Sequence, residues 1–164
     1  MPKDHDRKTN ALRELDAAGV LYEARFFACP EALSGVEVAS LLDLDPDRVF
    51  KTLVTQGADR NYYVFVVPVL AELDLKKAAK AAGVKSVAMI HVADINKVTG
   101  YIRGGCSPVG MKKQFVTVYD ESCLAQQTML VSGGRIGTQI ECAPADLIKV
   151  TRGRTAAITQ EHEA

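Results

Sequence analysis

Histidine is nearly missing from this 164-residue chain: His5 and His162 stand near its ends, and only His91 lies in the body. A Ser-His or Cys-His hydrolytic device would have that one imidazole to use. Cysteine is sparse too. Cys29, Cys106, Cys123 and Cys142 are widely separated, with no CxxC pair and no histidine at ligand spacing. This argues against a zinc site and for free thiols in a reducing compartment, so neither metal nor cofactor is expected. Charge of one sign is not in excess either, because 20 Lys and Arg balance 20 Asp and Glu. A strong nonspecific grip on nucleic acid is therefore excluded, and such a partner would need a local patch. No apolar run approaches the roughly 20 residues that span a bilayer. The opening "MPKDHDRKTN" is charged where a signal peptide is apolar. The expectation is a soluble cytoplasmic protein with neither membrane nor DNA as partner.

What is present suits one domain, long enough to bury roughly 70% of its unfolded surface. Leu12, Leu15 and Ala18 at helical spacing, with Asn10 as cap and Gly19 as stop, predict a first helix. "VLYEARFF" (20–27) reads as a strand. Ser34 and Glu37 form a capping box for a helix whose buried stripe is Val38, Leu41 and Leu42. "VFKTLVT" (49–55) and "YYVFVVP" (62–68) read as two strands joined by a loop, the second covered on both faces. Asp74 caps a helix with Leu75, Ala78, Ala79 and Ala82 inward and lysines outward, ended by Gly83. A short strand "SVAMI", a short helix closed by Gly100, strands "QFVTVYD", "TMLVSGG" and "GTQIE", and a helix begun at Pro144 complete the order. The last dozen residues are polar and expected to fray. Strands and helices intersperse without a strict βαβ rhythm, so the prediction is a mixed α/β (α+β) single domain.

The densest local signal is "GYIRGGCSPVG" (100–110). Its glycines allow a loop that aims several N–H groups at one point, as an oxyanion, carboxylate or phosphate requires, or simply a sharp connection. The spacing fits neither a P-loop nor a dinucleotide fingerprint. Cys106 within it is either a thiol activated near Arg103, with His91 as base, or a small residue filling a crowded turn. Lys51 is a single charge in an apolar strand, so its tip must reach water or an anion. Lys112 with Lys113, and Arg152 with Arg154, are either solvated surface or phosphate contacts. "VSGGRIGTQ" (131–139), with Ser132, is a hairpin or the facing wall of a pocket.

In order along the chain, "RVFKTLV", "PVLAELDLKKAAKAAG", "TGYIRGGCSPVGMKK" and "VSGGRIG…IE…PADLIKV" resemble the YbaK family of aminoacyl-tRNA deacylases, itself similar to the editing domain of bacterial prolyl-tRNA synthetases. The likeness runs from about residue 20 to residue 150. It implies a large, strongly curved, barrel-like mixed sheet surrounded by helices, with a helix over 1–19, the deacylase-like domain over 20–150 and a tail over 151–164. It further implies that Lys51 is the residue required for deacylation and that the Gly104 to Pro108 loop holds the aminoacyl group by its backbone, making Lys51 and Gly104 catalytic. Phe26, Ser34, Thr52, Gly105, Ser107, Pro108, Ser132 and Gln139 become substrate contacts. Lys112, Lys113, Arg152 and Arg154 become candidates for the tRNA, held weakly and with steep salt dependence.

In the best-studied branch of the family, cysteine misattached to proline tRNA is removed by its own thiol, which suits a chain so poor in histidine. The implied partners are the aminoacyl-tRNA 3′ end and prolyl-tRNA synthetase. The chain departs from that branch at Ser34, where an aromatic stands, at Gln139, where an aspartate stands, and at Phe26, where a tyrosine stands. Cys106 occupies a commonly aliphatic position. Alanyl or seryl specificity, and a noncatalytic module that binds tRNA or a synthetase, are the alternatives.

Overall fold

The computed structural model describes residues 8–28 and 34–161, so His5, Cys29 and His162 lie outside the described residues. The first helix, α1 (Asn10–Ala17), is capped by Thr9, whose side-chain oxygen accepts the Leu12 N–H at 3.2 Å. The cap thus falls one residue before the predicted Asn10, because Thr9 is the last residue in extended conformation. Strand β1 (Tyr22–Phe26) follows, then α2 (Gly35–Leu41), where Ser34 and Glu37 do form the capping box. Leu41, expected inside, is 53% exposed; the seven-residue helix buries only Val38 and Ala39.

Strands β2 (Phe50–Gly57) and β3 (Tyr62–Pro68) form an antiparallel hairpin, with Lys51 opposite Val67. Val64 to Val67 are fully buried, as a central strand requires. Helix α3 (Leu75–Ala82) ends at Gly83, with φ +77°, and buries Ala78 and Ala79, while Leu75 lies outward at 43% exposure. Strand β4 (Val87–Met89) and α4 (Ile95–Thr99) lead to the glycine-rich loop, after which come β5 (Val116–Asp120), β6 (Met129–Ser132), β7 (Thr138–Cys142), α5 (Pro144–Thr151) and β8 (Arg154–Ala156).

The fold is mixed α/β, but the single curved sheet resolves into two. A five-stranded sheet runs β4-β2-β3-β5-β8 and a three-stranded sheet runs β1-β7-β6. Among the described residues, one parallel backbone bridge joins them, Val49 to Leu130. The end of the chain corrects a second expectation. Residues 154–156 pair in parallel with β5, and Ile158 is fully buried beneath α3, its N–H held by Asp120 Oδ1 at 3.2 Å. Ile158, with Ala156 packed against the same cluster, anchors the segment expected to fray.

Three apolar clusters hold this frame. Leu12, Leu15, Phe50, Val66, Val131, Ile140 and Leu147 pack α1 and α5 against the inner faces of both sheets. Phe65, Val67, Ala78, Val118 and Ile158 pack α3 on the large sheet. Ala39, Val49, Val69 and Leu130 join α2 to the bridge between the sheets. Near that bridge Glu141 takes hydrogen bonds from Arg25 Nε at 2.9 Å and Thr128 Oγ1 at 2.7 Å, and pairs with Arg48. Burial pushes its carboxyl up, yet the hydrogen bonds of Thr128 and Arg25 outweigh that and hold it below the usual range. The pair Arg48–Glu141 ties the short turn Pro46–Arg48, which feeds β2, to the small sheet.

Candidate functional site

At the Val49–Leu130 bridge β2 and β6 start side by side, then separate. Lys51 and Ser132 each stand two residues past the bridge, so both border the gap that opens there. This gap is a cavity of about 120 Å³. Lys51 and Thr52 form one wall and Ser132 with its cross-strand partner Gln139 the other, while Gly35 and Val38 of α2 and the loop residues Gly104 and Cys106 close it. Four chain segments that sequence reading singled out separately thus meet in one place.

The lysine is half-buried, and no carboxylate lies within ion-pair distance of it among the described residues. Its charge therefore has no carboxylate counter-ion among the described residues. Gly104, at φ +86°, adopts a backbone state that side chains disfavour, and it turns the loop at the cavity mouth. Gly105 serves differently from what was expected of it. Its N–H donates to the Ile102 carbonyl at 2.9 Å, closing a turn, and a Cβ there would sit 2.8 Å from Arg135 Cα. Gly105 is thus a point of backbone contact between the two glycine-rich loops, and its N–H is already engaged. Ser107 is fully buried and its hydroxyl accepts the Val109 N–H at 3.2 Å. Tyr101 Oη donates to the Val109 carbonyl at 2.7 Å, which pins the far side of the loop.

Other predicted residues lie elsewhere. Pro108 is buried and borders a second cleft together with Lys112, Lys113 and Thr151. Phe26 lines a neighbouring cleft with Ile136 and Gly137, and Ser34 is an exposed helix cap beside Gly35. Arg152 ends α5 at φ +54° and Arg154 lies on β8, both exposed. Sequence reading missed Gly35 as a wall of the cavity. A glycine in a first helical turn costs stability, and here it lets α2 approach so closely that a Cβ would lie 2.1 Å from Val69 Cγ1. That unfavourable glycine was the available signal.

Chemically the cavity holds a cation, a glycine-formed backbone edge and neutral polar groups. Among the described residues no carboxylate and no imidazole borders it. Cys106 is the one protein thiol present, and burial pushes it up to about 11, so at neutral pH it is not a thiolate. His91 borders a different cavity, beside β4, so the Cys106–His91 pairing has no support in the fold. Cys106→Ala is accordingly expected to keep turnover within about threefold of the parent, whereas a covalent nucleophile would lose it by several powers of ten. Comparing single-turnover rates of the two proteins decides between them.

Residues 29–150 match the sequence profile of the aminoacyl-tRNA editing domain. The chain belongs to that family. A relative from Enterococcus faecalis (strain V583), EbsC, carries the provisional name of a Cys-tRNA(Pro)/Cys-tRNA(Cys) deacylase; it is 47% identical over 158 residues, 96% of each chain. Among solved structures, the hypothetical protein APE2540 superposes with a TM-score of 0.85 at 24% identity, covering 93% of this chain and all of that one. A protein whose structure is described provisionally as a trans-editing enzyme for prolyl-tRNA synthetase gives 0.82 at 22% identity, covering 93% and 96%. At such identities these structures establish the editing-domain fold. Among the described residues of this family member, no helix is long and apolar enough to cross a membrane.

Proposed function

We propose that the protein is a trans-editing aminoacyl-tRNA deacylase that removes cysteine from mischarged proline tRNA by substrate-thiol-assisted cleavage. The observation that carries this reading is the cavity itself, which Lys51 and Gly104 border and where, among the described residues, there is no carboxylate, no imidazole and no thiolate. Such a site suits a reaction whose nucleophile comes with the substrate. The cysteinyl sulfur attacks its own ester carbonyl, forming a C–S bond. The carbonyl–O3′ bond then breaks, the ribose oxygen takes up a proton, and a cyclic thioester leaves.

The protein's share is positioning and charge. The cavity walls fold the aminoacyl group into attack geometry, Gly104 brings backbone to the carbonyl oxygen, and Lys51 offsets the negative charge that develops as the tetrahedral species forms. The larger part of the tRNA remains outside. Lys112, Lys113, Arg152 and Arg154 are exposed cations suited to its phosphates, and a synthetase partner, prolyl-tRNA synthetase, supplies the choice of tRNA body.

The test follows ester loss from cysteinyl-, S-methylcysteinyl-, seryl-, alanyl- and prolyl-tRNA. Cysteinyl ester is expected to disappear fastest, and S-methylation to slow it by at least about 10²-fold, since an intramolecular nucleophile is removed. Equal rates for blocked and free thiol would overturn substrate assistance. No acceleration with any ester would overturn the deacylase.

A further inference from the structure

Gln139 is 8% exposed, and its Oε1 is buried without a hydrogen-bond partner among the described residues. It stands on β7 opposite Ser132, and both border the cavity that Lys51 borders from the other wall. Thr52, next to Lys51 on β2, borders the same cavity, and its Oγ1 is likewise buried and unpartnered. Ser132 is already engaged, since its hydroxyl accepts the Gly134 N–H at 3.2 Å. Buried polar atoms are nearly always paired, so the Gln139 orphan beside the cavity points to a ligand that completes it; Thr52, next to Lys51 on one strand, projects its side chain to the opposite face.

We propose that Gln139 reads a hydrogen-bonding side chain on the aminoacyl ester, so that the protein accepts small residues bearing a β-hydroxyl or β-thiol and rejects alanyl esters. The inference rests on the deacylase reading above for the identity of the ligand. Size comes first, because the cavity of about 120 Å³ has room for a small side chain. Charge limits it next. The Lys51 cation in the same cavity disfavours a second cation at Gln139, which leaves a neutral donor as the better partner. A hydroxyl satisfies the amide whether its oxygen or its NH₂ faces the cavity, since O–H both donates and accepts. A thiol does so more weakly. A methyl group does neither, and it leaves the amide stranded; a site built to hydrogen-bond its substrate rejects the analogue lacking that group for this reason. Binding should then rank seryl, cysteinyl, alanyl, while the rate of cleavage follows the nucleophilicity of the side chain.

The experiment measures binding of three hydrolysis-resistant adenosine analogues, carrying serine, cysteine or alanine through a 3′-amide, to the full chain by calorimetry. The seryl analogue is expected to bind about tenfold to a hundredfold tighter than the alanyl one, with cysteinyl between. In Gln139→Leu, shown by thermal melting to be folded, the seryl-to-alanyl ratio is expected to fall near one. Equal binding of seryl and alanyl analogues to the parent protein overturns the proposal, and this arm needs no variant. It is also overturned if Gln139→Leu keeps the ratio, or weakens all three analogues alike, which would assign the amide to a group common to every ester. The activity assay is independent. Selective binding with no ester cleavage would remove the deacylase reading and leave the pocket's preference standing, whereas cleavage without selective binding would do the reverse.

Discussion

Lys51→Ala is expected to lose about 10²- to 10³-fold in the rate of ester cleavage, the range associated with removing one well-placed stabiliser of a developing oxyanion. The same substitution should leave the fold almost untouched. Lys51 is half-buried on β2, makes no ion pair among the described residues, and its backbone pairing with Val67 does not depend on the side chain. Its removal opens no core cavity and strands no buried partner, so the change in stability should stay within about 0.5 kcal/mol. Single-turnover rates on cysteinyl-tRNA, together with urea unfolding, separate the two effects. A variant retaining more than a tenth of the parent rate would show that the lysine is surface decoration. A variant that loses activity and stability together would make Lys51 a structural residue.

Leu130→Ala addresses the frame that holds Lys51 in place, and the loss expected there is thermodynamic. Leu130 is fully buried, packs with Ala39, Val49 and Val69, and forms the bridge through which the two sheets meet. Truncating a buried leucine in so well-filled a site costs about 2–5 kcal/mol, the spread reflecting how far neighbours can collapse into the space. Activity should fall further than the unfolded fraction explains, because Lys51 and Ser132 stand just past this bridge on the strands it joins. Urea unfolding gives the first quantity, and the rate measured well below the transition gives the second. A cost below about 1 kcal/mol would mean that the sheets are held together elsewhere, for which Arg48–Glu141 is the alternative clamp.

These two residues differ in how visible they are. Lys51 is conspicuous in the sequence because a single charge in "VFKTLVT" breaks an apolar pattern, and a buried ammonium needs a reason. Leu130 is one apolar residue among several in "TMLVSGG", and nothing local distinguishes the strand residue that joins two sheets from its neighbours. The glycines show the same division. Gly83 and Gly100 end helices at φ +77° and +86°, which helical spacing alone anticipates. Gly105 does not take a positive φ, and its reason for being glycine is the Arg135 backbone, thirty positions further along the chain. Likewise Ile158 becomes an anchor through Asp120 and the underside of α3, partners that no local window contains.

Local interactions explain what the sequence by itself determined. Helix caps at Ser34 and Asp74, helix ends at Gly83 and Gly100, the β2–β3 hairpin and the buried run Val64 to Val67 all follow from propensity, spacing and turn chemistry within about ten residues. The scarcity of histidine and the isolation of the cysteines likewise narrow the chemistry by composition alone. Tertiary structure decided the rest. The division into two sheets, the Val49–Leu130 bridge and the cavity that opens beside it arise from contacts between segments about 80 residues apart in the chain. So does the state of each polar group in the cavity. Whether the Gly105 N–H, the Ser132 hydroxyl or the Gln139 amide is already engaged depends on which distant atoms reach it, and hydrogen bonds form over about 3 Å.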